Sequence, residues 1–335
     1  MICWRTMLLV LPSLKVFAIL FAVPTIAAII CNFIVVIIII KLKKKPVSKY
    51  LLLSLSISDL LVGMILGPIT LTQVLDISLL SNCTAHFIRG YVMVLLVGSS
   101  LLTLAMISYD RYLLLTKLSN YNQYMSKKKG FSLIGFSWFF PGLVPIVRTF
   151  SMTLYAVLRI INFTFPMIAL GSFYFLLTKK VYKREIEFRQ NNRICPRNDV
   201  IQLNTIYSNE DSSAKLSVNN LNIKNLKKYK HHVKVAKSAT LLFTCYFAFI
   251  FPLNIWMILE FSNFEYHADS HRIFYLCAIF LMQVNSCINP LIYYVKQRDI
   301  KKGFRQIFKF TKVQKSISKK LDMSEAIETS NNDYR

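Results

Sequence analysis

The sequence predicts an all-α membrane protein, a bundle of seven transmembrane helices followed by a short amphipathic helix on the membrane surface. Three observations predict it. Hydrophobic residues make up 54% of the 335-residue chain and charged residues only 17%, with a positive mean hydropathy. That composition belongs to the membrane class, although length alone would also allow two soluble domains. Apolar runs of roughly 20 residues or more, enough to cross about 30 Å of hydrocarbon, recur near 16–40, 50–74, 85–109, 131–150, 152–178, 238–261 and 272–295. Finally, of 41 Lys and Arg, all but six fall in the segments 41–49, 111–129, 179–237 and 296–335.

The first run follows Arg5 and imitates the start of a signal peptide, but it continues to Ile40 before Lys41. A cleavable core is much shorter, so the run is read as a retained span. The second carries Asp59, and the third carries Ser100 and ends at Asp110-Arg111-Tyr112. The fourth and fifth nearly touch. One continuous helix there would be about twice the bilayer thickness, so the division falls between Arg148 and Met152. The long segment after the fifth run, about 180–237, is rich in Asn, Ser and charge over 191–225 and is expected to be partly disordered. Its flanks, around Lys183 to Arg189 and Lys227 to Lys237, are expected to extend the fifth and sixth helices. Beyond the seventh run, Ile300, Phe304, Ile307 and Phe308 share one helical face edged by Lys301, Lys302, Arg305 and Lys309. That pattern suits a helix lying on a leaflet. The membrane unit therefore covers 1–310, and the polar tail 311–335, with Ser316, Ser318, Ser324, Thr329 and Ser330 as modification sites, is expected to be disordered.

The four basic segments all fall on one side of a seven-span chain. By the excess of Lys and Arg on cytoplasmic loops, the amino terminus is expected outside and the carboxyl terminus inside. The net charge of +25 is then a coat suited to anionic membrane lipid, not a nucleic-acid footprint. The exceptions are Arg5, Lys15, Arg89, Arg148, Arg159 and Arg272. Cys31, Cys245 and Cys287 fall within spans, Cys195 in the basic loop, and only Cys3, Cys83 and Cys277 outward, so no disulfide framework holds the fold. There is no His/Cys cluster at metal spacing, activated nucleophile or Gly-rich phosphate loop, so an enzyme is not expected.

A polar group within a span needs a partner or a purpose. Asp59 is the one acid deep in a span, and a buried carboxylate is protonated, paired or bound to a cation. Ser100, Asn285 and Asn289 are candidate partners; the spacing of four puts both amides on one face, continued by Tyr293. The cluster suits a sodium ion held by oxygen ligands, or a hydrogen-bonded network around a neutral Asp59, and the residues alone leave both open. Charges at helix ends such as Asp110 and Arg111 often reflect no more than snorkelling.

Taken together, the motifs resemble a rhodopsin-like G-protein-coupled receptor over roughly 15–310. They are Asn32; Leu55 to Asp59; Asp110-Arg111-Tyr112; Trp138; Pro166 and Tyr174; Phe251-Pro252; Asn289-Pro290-Leu291-Ile292-Tyr293; and Phe304 beyond. Each falls in the expected span and order. The resemblance implies a plasma-membrane receptor whose partners are a heterotrimeric G protein, an arrestin and a receptor kinase, with an unknown extracellular ligand and membrane lipids around it. It implies that Asp110 holds Arg111 at rest, that Arg111 is released toward the G protein, and that Tyr174 and Tyr293 swing in to support it. It implies a sodium pocket of Asp59, Ser100, Asn285 and Asn289, with no other cofactor, and a connector of Leu101, Pro166 and Tyr246 beside Pro252. The prolines weaken their helices locally and supply hinges.

The chain also departs from the pattern. Ile250, preceded by Phe249, stands where the family usually has an aromatic toggle, and basic residues around His232 replace a frequent acidic lock. His86 stands where a cysteine is usual, and the link between the fourth and fifth spans has no cysteine to meet Cys83, so the family's usual disulfide is not expected. The short link and missing disulfide are loosely similar to the melanocortin, cannabinoid and lysolipid branch. Ile69, His86 and Gly90 occupy the places of the melanocortin acidic cluster, and Met93 that of the aminergic aspartate, so a biogenic amine is excluded. The expected pocket comprises Met93, Val97, Asn254, Met257, Tyr275, Ile279 and Gln283, with Arg159 and His86 at the rim. Helically spaced apolar residues are more often packing than contact, but a lining of this kind suits a lipid acid or an amphipathic peptide. Asn82-Cys83-Thr84 is an outward glycosylation sequon at Asn82, whereas Asn162 falls inside a span. A non-signalling or dimerising seven-helix subunit is the alternative function. A transporter is less favoured, because the spans show neither duplicated halves nor Gly-interrupted helices.

Overall fold

The computed structural model describes residues 11–43, 45–75, 83–117, 120–194, 244–261 and 268–307. Asn82, the basic loop from 195 to 243 with His232, and the tail 311–335 lie outside them. Helix α1 spans Leu11–Lys41. Helix α2 is built of Val47–Leu61, a π turn at Val62–Leu66 and Gly67–Leu75. Then come α3, Cys83–Thr116; a short helix, Tyr121–Tyr124; α4, Lys127–Leu143; and a 3-10 turn at Ile146–Thr149. The bundle closes with α5, Met152–Ile194, α6, Thr244–Phe261, and α7, Ala268–Lys296. A last helix, α8, covers 298–307. Seven of these helices are long and apolar enough to cross a membrane.

The division between α4 and α5 falls where the sequence puts it, at the 3-10 turn before Ser151, whose hydroxyl accepts from the Leu154 N–H at 3.2 Å to start the next helix. Ser126 starts α4 in the same way, accepting from Lys129 N–H at 3.3 Å. Helix α5 continues well past Lys183, the end of its apolar stretch, into the extension expected there.

The bundle is inverted relative to a soluble protein. Its outer faces are apolar, with Ile19, Phe139, Phe150 and Ile168 exposed, while Asn32, Asp59, Ser100 and Asn289 are buried. Hydrocarbon as solvent produces this arrangement, because only the interior offers polar groups a partner. Helix α3 is the most enclosed span. Close approach of α1 and α2 depends on Gly63 and Gly67, one turn apart on one face. A Cβ at Gly63 would lie 2.8 Å from Ile29 Cγ1 and 3.2 Å from its backbone nitrogen, and one at Gly67 only 2.5 Å from Thr25 Cγ2. The π turn between them closes where the Gly67 N–H donates to Val62 O, five residues back. Pro68, next in line, cannot donate to the Met64 carbonyl, so the ordinary ladder is already broken at that level.

Helix α8 packs as its pattern requires, burying Ile300 and Phe304, the latter edge-on to Tyr294 at 5.4 Å. Lys49 at the start of α2 pairs with Asp299 at 3.1 Å and donates to Gln297 Oε1 at 2.8 Å, clipping α8 to the bundle.

Candidate functional site

Midway through the bundle, Asp59 is fully buried. Ser100 Oγ donates to its Oδ1 at 2.9 Å and Asn289 Nδ2 to its Oδ2 at 2.7 Å. The side chain of Ser286 also reaches the carboxylate. Asn285, expected in this set, is buried nearby on α7 but is not among the groups bonding Asp59; Ser286 takes that place. Asn32 ties α1 to the same spot, donating to Ser286 O at 3.0 Å and Ala28 O at 2.9 Å. No Lys or Arg pairs with Asp59 among the described residues. The donor set therefore fits a small hard cation: an anionic oxygen, two serine hydroxyls and an amide that can turn its oxygen inward.

Toward the basic end, the Tyr293 hydroxyl is buried without a hydrogen-bond partner among the described residues. Further out, Asp110 is buried while the Arg111 side chain is 25% exposed, and the two meet only at 3.9 Å. The tighter bond to Asp110 comes from Tyr121 in the short helix, whose hydroxyl donates to Oδ1. Burial, and then Asp110 itself, push the Tyr121 hydroxyl above its ordinary range, so it stays a donor. Tyr112 faces away from this pair, packing with Leu115, Leu177 and Val181 and lying 6.0 Å from the ring of Phe173. Tyr174 is half-buried one residue along α5.

Between these levels, Leu101, Tyr246 and Ile250 are fully buried in one core cluster. The Tyr246 hydroxyl donates across to Phe163 O at 3.2 Å, three residues before the buried Pro166. Two residues outward from Pro252, Asn254 accepts from Thr164 at 3.3 Å and donates to Ile250 O at 3.4 Å. Thus α5 and α6 are joined by polar contacts on both sides of Pro252. Asn162 is buried, donating to Val94 O at 3.4 Å, as its place inside a span requires.

At the opposite end, Met93, Val97, Met257 and Ile279 are buried in the main cluster with Tyr275 packed against it, and Asn254 and Gln283 are buried too. The amide nitrogen of Gln283 has no partner among the described residues. Around them lies a group that the sequence reading did not assemble. Arg159 Nη2 meets Glu260 Oε2 at 2.6 Å, with side chains 12% and 31% exposed. The Arg159 guanidinium lies over Tyr155 at 5.6 Å and Trp256 at 5.9 Å. Trp256 meets Tyr275 at 4.5 Å. Buried Arg89 lies over Tyr275 at 4.9 Å, and Arg148 lies over Phe87 at 5.2 Å and Tyr155 at 5.7 Å. One signal was present: Glu260 is an acid at the end of an apolar run, and the three arginines are exceptions to the basic-side distribution.

Seven apolar helices around a buried polar axis, with an acid–arginine pair at one rim, define a multi-pass membrane protein of the seven-helix receptor class. The family model described as 7 transmembrane receptor (rhodopsin family) matches residues 31–156 and 146–293. The chain belongs to that family. No curated protein matches it.

Proposed function

We propose that the chain is a G-protein-coupled signalling receptor of the plasma membrane, its basic end in the cytoplasm and its amino terminus outside. An extracellular lipid or amphipathic peptide, not an amine, binds among Met93, Val97, Asn254, Met257, Tyr275, Ile279 and Gln283. It favours one of two bundle states, and that state opens the basic end to a heterotrimeric G protein. Arrestin and a receptor kinase would act on the same face and on the tail. The observation that carries the reading is the stretched Asp110–Arg111 contact of 3.9 Å, in which the acid is buried and the guanidinium is partly exposed at the rim. A loose pair of this kind is readily broken, and Tyr121 already satisfies the acid that Arg111 would leave behind. Replacing Arg111 by Ala should abolish nucleotide exchange on co-expressed G protein while surface delivery is retained. Exchange at the wild-type level would refute the assignment.

Asp59, Ser100 and Asn289, with Asn285 one turn away, would hold a sodium ion that neutralises the buried carboxylate and favours the closed bundle. Sodium should then raise the melting temperature of the purified receptor relative to potassium, and Asp59→Asn should erase the difference. Equal stabilisation by both salts in the unmodified protein would remove sodium from the account. The competing reading, a dimerising or non-signalling subunit, is favoured by Ile250, which fills the toggle position with a fully buried aliphatic group. Basal exchange in cells expressing this chain alone would exclude it.

A further inference from the structure

We propose that Arg159 receives the carboxylate of an amphiphilic ligand, and that Glu260 occupies that carboxylate's place until the ligand arrives. The inference rests on the receptor reading for its biological meaning, but its chemistry comes from the residues of this one cluster.

Glu260 uses Arg159 incompletely. One oxygen meets Nη2 at 2.6 Å, while the Arg159 Nε is buried without a hydrogen-bond partner. The edge of a guanidinium offers Nε–H and Nη–H in parallel, matched to both oxygens of a planar carboxylate. A buried donor left without an acceptor is costly, and a ligand carboxylate seated on this edge removes the cost. The two partners are also unequally placed. Glu260 lies in the last described turn of α6, its side chain 31% exposed, whereas the Arg159 side chain is 12% exposed against the Tyr155 and Trp256 rings. Glu260 can therefore be rehydrated by a small rotation outward, but Arg159 cannot. The vacated guanidinium demands a replacement anion.

The surroundings define the rest of the ligand. Trp256 and Tyr275, 4.5 Å apart, offer aromatic faces to an apolar body. Arg89 over the Tyr275 ring strengthens the field that favours a negative group. A neutral amide would lose the charge-assisted bond, and an amine would be repelled. The shared chemistry is a single carboxylate on an apolar body, carried either by a fatty acid or by the free carboxyl terminus of a hydrophobic peptide.

The test uses the purified full-length receptor in neutral detergent. Two acid–amide pairs are titrated while thermal unfolding is followed: dodecanoate against dodecanamide, and acetylated leucyl-phenylalanine with a free or amidated carboxyl terminus. The acid of one pair is expected to raise the melting temperature while its amide does not, and the responding pair identifies the source. Removing the internal competitor with Glu260→Gln should tighten binding of that acid by about tenfold, the behaviour of a ligand relieved of an occupied ground state. Arg159→Gln should abolish it. Equal responses to acid and amide, no response to either pair, or weaker acid binding in Glu260→Gln would each overturn the proposal. The last does not depend on whether Arg159→Gln folds. Nucleotide exchange that vanishes in Arg111→Ala is scored on the same preparations, so failure here is separable from failure of the receptor reading.

Discussion

The two ends of the bundle each carry an arginine–carboxylate pair, and the pairs are built in opposite senses. At the basic end the acid, Asp110, is buried and Arg111 is partly exposed, with 3.9 Å between them. At the other end the arginine, Arg159, is the more buried partner and Glu260 the more exposed, with 2.6 Å between them. The member nearer solvent is the one that can leave. Opening the first pair therefore presents a cation to whatever docks at the basic rim, whereas opening the second leaves a cation inside that attracts an anion. One bundle thus holds a donor of positive charge at one end and a receiver of negative charge at the other.

The largest effect expected from breaking this contrast lies at the tight pair. Replacing Glu260 by Met should cost about 3 kcal/mol of stability, because the buried Arg159 is left without its partner, and the double replacement with Arg159→Met should restore most of it. Chemical or thermal unfolding of the three proteins in detergent checks this, and an unrecovered double variant would mean that the arginine matters for shape alone. At the loose pair the expectation concerns signalling. Asp110→Asn should raise basal nucleotide exchange roughly fivefold, the equivalent of about 1 kcal/mol in a two-state balance. The smallest effect has the opposite sign. Tyr121→Phe removes the competitor for Asp110, so the acid should hold Arg111 more firmly and basal exchange should fall by about half, within the range of one modest hydrogen bond. A rise in Tyr121→Phe would show that the short helix restrains Arg111 directly.

The spans were legible because each is a local property: an apolar run of sufficient length specifies a helix regardless of its neighbours. The Asp59 cluster was half legible. Residues at spacing four on one helix are bound to share a face, which found Asn289, but whether Asn285 or Ser286 reaches the acid depends on how α7 is rotated against α2. That rotation is a packing result. The Arg159–Glu260 pair joins residues 101 positions apart, and no periodicity connects them. Their only trace was an acid and a base at the unexpected end of apolar runs. Tyr121 left less still, since a tyrosine in a short loop carries no pattern until its loop folds under α3.

One feature of α2 bears on every comparison made by counting along the chain. The bond from Gly67 back to Val62 takes in one residue more than an ordinary turn. Everything beyond it is swung by about 100° about the helix axis relative to an unbroken α-helix. Ile69 therefore does not face the direction that its distance in sequence from Asp59 implies, and Thr70, which is buried, comes round to the interior. A chemist choosing side chains at this mouth of the bundle for crosslinking or labelling should number outward from Gly67, not from Asp59.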